Sequence, residues 1–339
     1  MIKLLAQQTL RLHWMLSKIP IVDRVYGRLL TTLRTIRSHL SYLAWRLFKT
    51  RPKLNSSSIS GPVQVVHYEN AASTNPSAVP GRLIVHCTFH LDVGRLIYLS
   101  ETVRCLRALP FETVDIFIDT NSERTAAYLP SEETQLIRDI YVHKNMTHPF
   151  ELTWAHRAHM KQVIANYDFF MYVEDDILIT PQAIYLWHDR LPKLRPMGYL
   201  PGFLRVEKDR HGRLVSSDFV APDLDPEIVI IEGDHYYQTK YPYQAFWIYD
   251  KLTMLKFAVS PSYWSGPPGF DTRERAAYGF TFDDGLRSKS LLPLDATGRL
   301  DSRSFVFHMP CNYGTRIIPH AAGLGTVSIN ELLQFPRLA

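Results

Sequence analysis

The sequence has no G-x-x-x-x-G-K-[ST] loop and no G-x-G-x-x-G turn. That excludes the common phosphate cradles of P-loop kinases and ATPases and of Rossmann oxidoreductases. There is no G-x-S-x-G elbow either, which argues against an α/β-hydrolase serine. Only three cysteines occur (Cys87, Cys105, Cys311), with no C-x-x-C pair. A disulfide framework and a structural zinc site are therefore not expected, and a reducing compartment is the simpler reading. No stretch near the start has the roughly eighteen uncharged apolar residues of a membrane span. Neither a transmembrane anchor nor an ordinary signal peptide is expected. Two N-x-[ST] triplets, at Asn55 and Asn145, are too common by chance to indicate secretion.

What is present is unevenly charged. The 339 residues carry a net +5, but residues 1–53 hold eleven Lys/Arg against one acid, Asp23. The rest of the chain is thus net −5, which speaks against a nucleic-acid surface across the body. Within the basic segment, Tyr26, Leu29, Leu33, Ile36, Leu40, Leu43 and Leu47 recur at spacings of three and four, with Arg24, Arg28, Arg34, Arg37 and Arg46 off the stripe. This pattern predicts a basic amphipathic helix. It suits an anionic membrane surface, or self-association or packing on the body. Residues 54–62, rich in Ser with Gly61 and Pro62, read as a linker. The expected location is cytoplasmic, peripheral to a membrane.

From residue 63 to 339, strand-like and helix-like segments alternate. Strands are expected at Val63–His67, Arg82–Thr88, Thr113–Ile118, Ile137–Val142 and Tyr167–Val173, and helices at Val93–Leu109 and Phe150–Asn166. That order predicts an α/β fold: a mostly parallel sheet with helices on both faces. Beyond about residue 180 come a helix at Pro181–Leu191 and strands at Gly198–Val206, Glu227–Ile231 and Tyr243–Tyr249. A helix at Asp250–Ala258 and a Pro/Gly/aromatic loop at Ser260–Phe270 follow. One domain with unlike halves, 63–180 and 181–339, is expected.

The segment that carries chemistry is Phe169-Phe170-Met171-Tyr172-Val173-Glu174-Asp175-Asp176-Ile177. An apolar run of this kind reads as a strand buried on both faces. Three acids then fall at its carboxyl end, where open α/β sheets bind ligands. Adjacent carboxylates repel, so a cation belongs beside them, and hard oxygen donors suit Mg²⁺ or Mn²⁺.

Val173-Glu174-Asp175-Asp176, followed by Ile177-Leu178-Ile179-Thr180-Pro181, resembles the Asp-x-Asp motif of GT-A-fold glycosyltransferases, and most of all its Glu-Asp-Asp form in the N-acetylglucosaminyltransferase I group. The match covers about ten residues. The resemblance implies a nucleotide-sugar donor, with UDP favoured, and Mn²⁺ or Mg²⁺ on its diphosphate. Asp176 would bind the metal directly, and Glu174 and Asp175 would orient sugar or ribose. A late histidine in such enzymes touches the metal or diphosphate, and His308 fits that place. The acceptor would be a glycan or lipid-linked hydroxyl, and the sugar a hexose or N-acetylhexosamine.

Other residues are candidates by position. An inverting transferase needs a base for the acceptor hydroxyl. Asp271 and Glu274 follow a Gly/Pro loop and could supply it; equally, they could be the N-cap and capping-box partner of the next helix. Thr88 and Asp119 end strands and could contact the nucleoside. Arg157 could approach the diphosphate or pair with a surface acid. Tyr263 and Trp264, beside the Pro/Gly loop, could stack on the acceptor. Two other functions suit parts of the chain: a sugar-phosphate nucleotidyltransferase, although Thr88–Arg95 offers only Gly94 and Arg95 as a phosphate loop, or a non-enzymatic membrane-surface scaffold built on the basic helix.

Overall fold

The computed structural model describes residues 78–310, apart from 145, 147, 209–212, 217–226, 240–241, 268–271 and 284–286, and the backbone of 327–328. The chain divides into two compact units, residues 1–78 with 268–271 and residues 79–267 with 272–339. The expected basic helix, the linker and the Val63–His67 strand all lie outside the described residues. The second unit holds the elements that follow.

Its strands are β1 (Val79–Phe89), β2 (Phe111–Thr120), β3 (Asp139–Val142), β4 (Phe169–Glu174), β5 (Ile177–Ile179), β6 (Leu200–Pro201), β7 (Leu204–Lys208), β8 (Leu214–Ser216), β9 (Ile228–Ile231), β10 (Asp234–Gln238), β11 (Phe246–Asp250), β12 (Ser290–Pro293), β13 (Phe305–His308) and β14 (Val327–Ser328). The main sheet has the order β11-β4-β1-β2-β3. β1 pairs in parallel with β2 and β4, and β2 with β3. Only β11 runs antiparallel, on the far side of β4. The mostly parallel α/β fold expected from the sequence is therefore present. Phe170, Met171, Tyr172 and Val173 are wholly buried, which explains why β4 is apolar at every position rather than alternating.

The strand order matters for the site. β2 and β4 flank β1 on opposite sides, so the chain reverses its direction of winding between β1 and β4. Ligands of open α/β sheets sit at such a switch point, outside the carboxyl ends of the strands. Thr88, near the end of β1, is in register with Asp119 of β2 and Glu174 of β4.

Two further sheets, β14-β8-β7-β13-β5 and β6-β12-β10-β9, complete the unit. Asp175 and Asp176 are the two-residue corner between β4 in the main sheet and β5 in the second. β5 pairs antiparallel with β13, with Ile177 opposite His308. The backbone N–H of Met309 donates to the Asp176 carbonyl at 2.9 Å. The helix Pro181–Leu194 then starts on its Thr180 cap, whose hydroxyl accepts from the Ala183 N–H at 3.1 Å, with Pro181 in the first turn as expected.

Several elements differ from the sequence reading. The expected Phe150–Asn166 helix breaks into a 3₁₀ turn (Pro149–Trp154), a short α-helix (His156–Gln162) and a second 3₁₀ turn (Ile164–Asn166). Tertiary bonds interrupt it: Trp154 Nε1 donates to the Thr272 carbonyl at 2.8 Å, and Arg157 donates to three carbonyls from later segments. The expected Gly198–Val206 strand divides into β6 and β7, which join different sheets. β10 has no counterpart in the sequence reading because its hairpin turn is Glu232-Gly233, not Asn-Gly. Both residues have positive φ, 53° and 82°, and β9 and β10 pair directly across them, as a two-residue hairpin loop requires.

Gly279 shows how tightly β11 is held. It has φ +55°, and a Cβ there would run into the Tyr249 hydroxyl and lie 2.8 Å from Trp247 Cδ1. Replacing Gly279 by Ala should cost roughly 2–4 kcal/mol through left-handed strain and overpacking. Urea unfolding checks this; a change within a few tenths of a kcal/mol would contradict it.

Candidate active site

The acidic corner is assembled from four segments. Asp175 and Asp176 are nearly buried, 6% and 5% exposed. The loop after β1 brings Arg95, at the end of a 3₁₀ turn (Val93–Arg95) started by the Asp92 side chain. Arg95 forks onto Asp175, with Nε to Oδ2 at 3.0 Å and Nη2 to Oδ1 at 2.9 Å, and Nη2 also reaches Asp176 Oδ2 at 2.7 Å. Thr102, on the following helix (Leu96–Arg107), donates its hydroxyl to the Asp175 carbonyl at 2.9 Å. β13 brings His308, whose Nε2 lies 3.3 Å from Asp176 Oδ2. β7 brings Glu207, whose Oε2 lies 3.5 Å from His308 Nδ1.

The electrostatics follow from burial and crowding. Burial, then the charge on Asp176, pushes the Asp175 carboxyl up to about 7, against the pull of Arg95. Burial would raise Asp176 too, but His308 and Arg95 hold it well below the usual carboxylate range. Burial pulls the His308 imidazole down, yet hydrogen bonding to Asp176 and Glu207 leaves it raised overall. Burial also raises Glu174. Its Oε1 accepts from the Tyr243 hydroxyl at 3.2 Å, and Arg273 Nη1 stands 4.0 Å from Oε2.

These residues fit a divalent cation. Asp176 Oδ1 is buried with no hydrogen-bond partner. His308 turns one ring nitrogen to Asp176 and the other to Glu207, the carboxylate–histidine orientation typical of metal ligands. Among the described residues, no three His, Cys, Asp or Glu side chains form a metal cluster. A cation here would take one or two protein ligands and draw the others from phosphate and water, as Mg²⁺ commonly does.

The remaining candidates separate into groups. Thr88 is buried at the switch point, with its hydroxyl unpartnered. Asp119 is wholly buried, and both oxygens are engaged, by His86 Nδ1 and His143 Nε2, each at 2.7 Å. It is the centre of a histidine chain that continues from His86 Nε2 to His159 Nδ1 at 2.9 Å, and it does not present a carboxylate to a nucleoside. Arg157 is 0% exposed. Its guanidinium donates to the carbonyls of Ser262, Tyr263 and Ala276 and lies 4.1 Å over the Trp154 ring. It fastens three segments rather than meeting a diphosphate. Tyr263 is also wholly buried and donates its hydroxyl to the Arg157 carbonyl at 2.6 Å, so it is core, not platform. Trp264, beside it, is 57% exposed. Glu274 lies in the first turn of the helix Thr272–Tyr278, and its neighbour Arg273 faces Glu174. Asp271 lies outside the described residues.

Glu207 and Arg273 escape the sequence reading, and Arg95 enters it only as the isolated base after Gly94. A cavity of about 510 Å³ lies elsewhere, lined by Arg82, Phe117, Arg138, Tyr141, His159 and Tyr167 among others. Glu174, Asp175 and Asp176 do not line it.

No protein-family model matches the sequence, and no curated protein matches it. Solved structures that resemble it include TarS from S. aureus, at TM-score 0.37 and 12% identity, covering 69% of this chain and 37% of that one. An active-site mutant of LgtC aligns at TM-score 0.30 and 16% identity, covering 61% of this chain and 71% of that one. This chain thus spans about a third of the TarS chain. At such scores neither likeness bears on what the chain does.

The Asp176–His308 pair predicts a pH window in metal-free protein. The depressed Asp176 contributes stability above the ordinary Asp value, 3.8, which is lost as pH falls. The raised His308 contributes below the ordinary His value, 6.5, which is lost as pH rises through its folded value. The stability difference between wild type and His308→Gln should be largest between 3.8 and 6.5 and shrink on either side. Denaturation across pH tests it; a difference independent of pH would exclude the pairing.

Proposed function

We propose that the protein is a metal-dependent GT-A-type glycosyltransferase, moving a hexosyl or N-acetylhexosaminyl group from a nucleotide-diphosphate donor, UDP in first place, to an acceptor hydroxyl. The observation that carries this is the position of Asp175 and Asp176. They form the corner between two sheets, at the β1/β4 switch point, with His308 beside Asp176 and an unpartnered Asp176 oxygen. Open sheets of this order bind ligands outside such strand ends, and the acids would supply hard donors for Mn²⁺ or Mg²⁺.

Each side chain then has a task. Asp176 and His308 would hold the cation, with Glu207 orienting the imidazole. When bound, the cation would stabilise charge on the departing nucleoside diphosphate. Arg95, held by Asp175, adds a fixed positive charge at the same place. Glu174, kept by Tyr243 and Arg273, faces the donor side. Thr88 offers a hydroxyl to the nucleoside. Displacement with inversion needs an acceptor base, and Asp271 or Glu274 would provide it. Trp264 is the exposed ring on which an acceptor sugar could stack. Among the described residues no helix is long and apolar enough to cross a membrane. The basic amphipathic helix that the sequence pattern predicts in residues 1–53 would hold the enzyme at an anionic lipid surface, and a lipid-linked acceptor would suit that location.

Calorimetric titration of UDP in the presence and absence of Mn²⁺ tests the proposal. Binding should need the metal, and Asp176→Asn should abolish it, together with slow hydrolysis of the UDP-sugar donor, while circular dichroism stays unchanged. Full turnover by folded Asp176→Asn would remove the metal site.

A further inference from the structure

Arg95 already neutralises the acid pair from one side and leaves Asp176 Oδ1 unpartnered. It bridges Asp175 and Asp176 with three hydrogen bonds of 2.7–3.0 Å. The two carboxylates are nearly buried, so the attraction between them and the guanidinium is weakly screened. Bases already face the acids around the corner. Glu174, Asp175, Asp176 and Glu207 are the acids; Arg95, Arg205, Arg273 and His308 are the bases. Arg205 and Arg273 both act electrostatically on Glu174, and His308 sits between Asp176 and Glu207. A divalent ion entering alone would place two uncompensated positive charges beside a guanidinium. A divalent ion entering with a diphosphate would not, because the phosphate oxygens carry the balancing charge.

We propose that Arg95 is a built-in counter-cation that withholds the acid pair from free metal ions, so that the cation enters only together with a nucleoside diphosphate. The claim rests on the glycosyltransferase reading and adds an order of loading to it. Two features of Arg95 suit the role. Its Nε and Nη2 are fixed by Asp175, so the guanidinium stays in place when the contact to Asp176 loosens. Its Nη1 makes no hydrogen bond among the described residues, and the side chain is 33% exposed. That leaves a donor uncommitted to the acids and available to a phosphate oxygen. Asp175 is then a positioning residue for Arg95 rather than a ligand of sugar or ribose.

Mn²⁺ titrations of the full chain, read by electron paramagnetic resonance of free Mn²⁺, test this without turnover. For wild type, UDP should tighten Mn²⁺ binding by at least about tenfold, while uridine should not, since removing two phosphates removes the balancing charge. Arg95→Gln should bind Mn²⁺ alone about tenfold more tightly than wild type and show a smaller gain from UDP; Arg95→Lys, which keeps the charge, should stay near wild type. Equal Mn²⁺ affinity of wild type with and without UDP would overturn the inference even if the variants failed to fold. So would unchanged or weaker Mn²⁺ binding by folded Arg95→Gln. If wild type binds Mn²⁺ with UDP but Arg95→Gln does not tighten, only the order of loading falls. If wild type binds no Mn²⁺ even with UDP, the glycosyltransferase reading falls with it.

Discussion

Two neighbouring carboxylates nearly excluded from water are the constraint around which this unit is built. Isolated, they would repel each other and be costly to desolvate. They persist because the chain brings three different elements to them: a turn after β1 supplies Arg95, the end of β13 supplies His308, and β7 supplies Glu207 behind the imidazole. The corner also joins two sheets. β4 belongs to the main sheet and β5 to the second, with only Asp175 and Asp176 between them. Fold and site are consequently coupled: residues that keep the acids tolerable also hold the sheets together.

That coupling explains which parts of the protein can be read in advance. β1, β2 and β4 are legible because each is buried on both sides by parallel neighbours, and such burial forces unbroken apolar runs. The position of the acids after β4 is legible because they end so apolar a run. His308 can be placed because it ends the Phe305–Val306–Phe307 run, and the structure sets it opposite Ile177. Glu207 and Arg273 are not legible, and Arg95 is marked only as the base after Gly94. Each acquires its role from a partner between roughly eighty and a hundred residues away in sequence, a separation that local pattern cannot register.

Three of the candidates lie deep in the unit. The sequence puts Asp119 at a strand end, Arg157 on a helix and Tyr263 beside a Pro/Gly loop, positions from which each could reach a ligand. In this fold their polar ends meet partners inside, although Arg157 Nε is left without one. Arg157 and Tyr263 bond to each other's backbone carbonyls, and Asp119 lies between two imidazoles. Polar residues bonded in the interior help specify packing. They tie the helix His156–Gln162 to the chain around residue 263, and β2 to the loop beyond β3. The histidine chain from His159 to His143 has no part in the chemistry proposed above.

The central claim is that Asp176 and His308 receive a divalent cation carrying a nucleoside diphosphate. Anomalous diffraction from crystals grown with Mn²⁺ and UDP tests it most directly. The account expects one manganese peak within bonding distance of Asp176 Oδ1 and His308 Nε2, about 2.0–2.3 Å for such donors by analogy with other first-row ions, with the diphosphate on its open side near Arg95. A clearly bound UDP with no manganese at these residues, or a manganese site elsewhere, would contradict it.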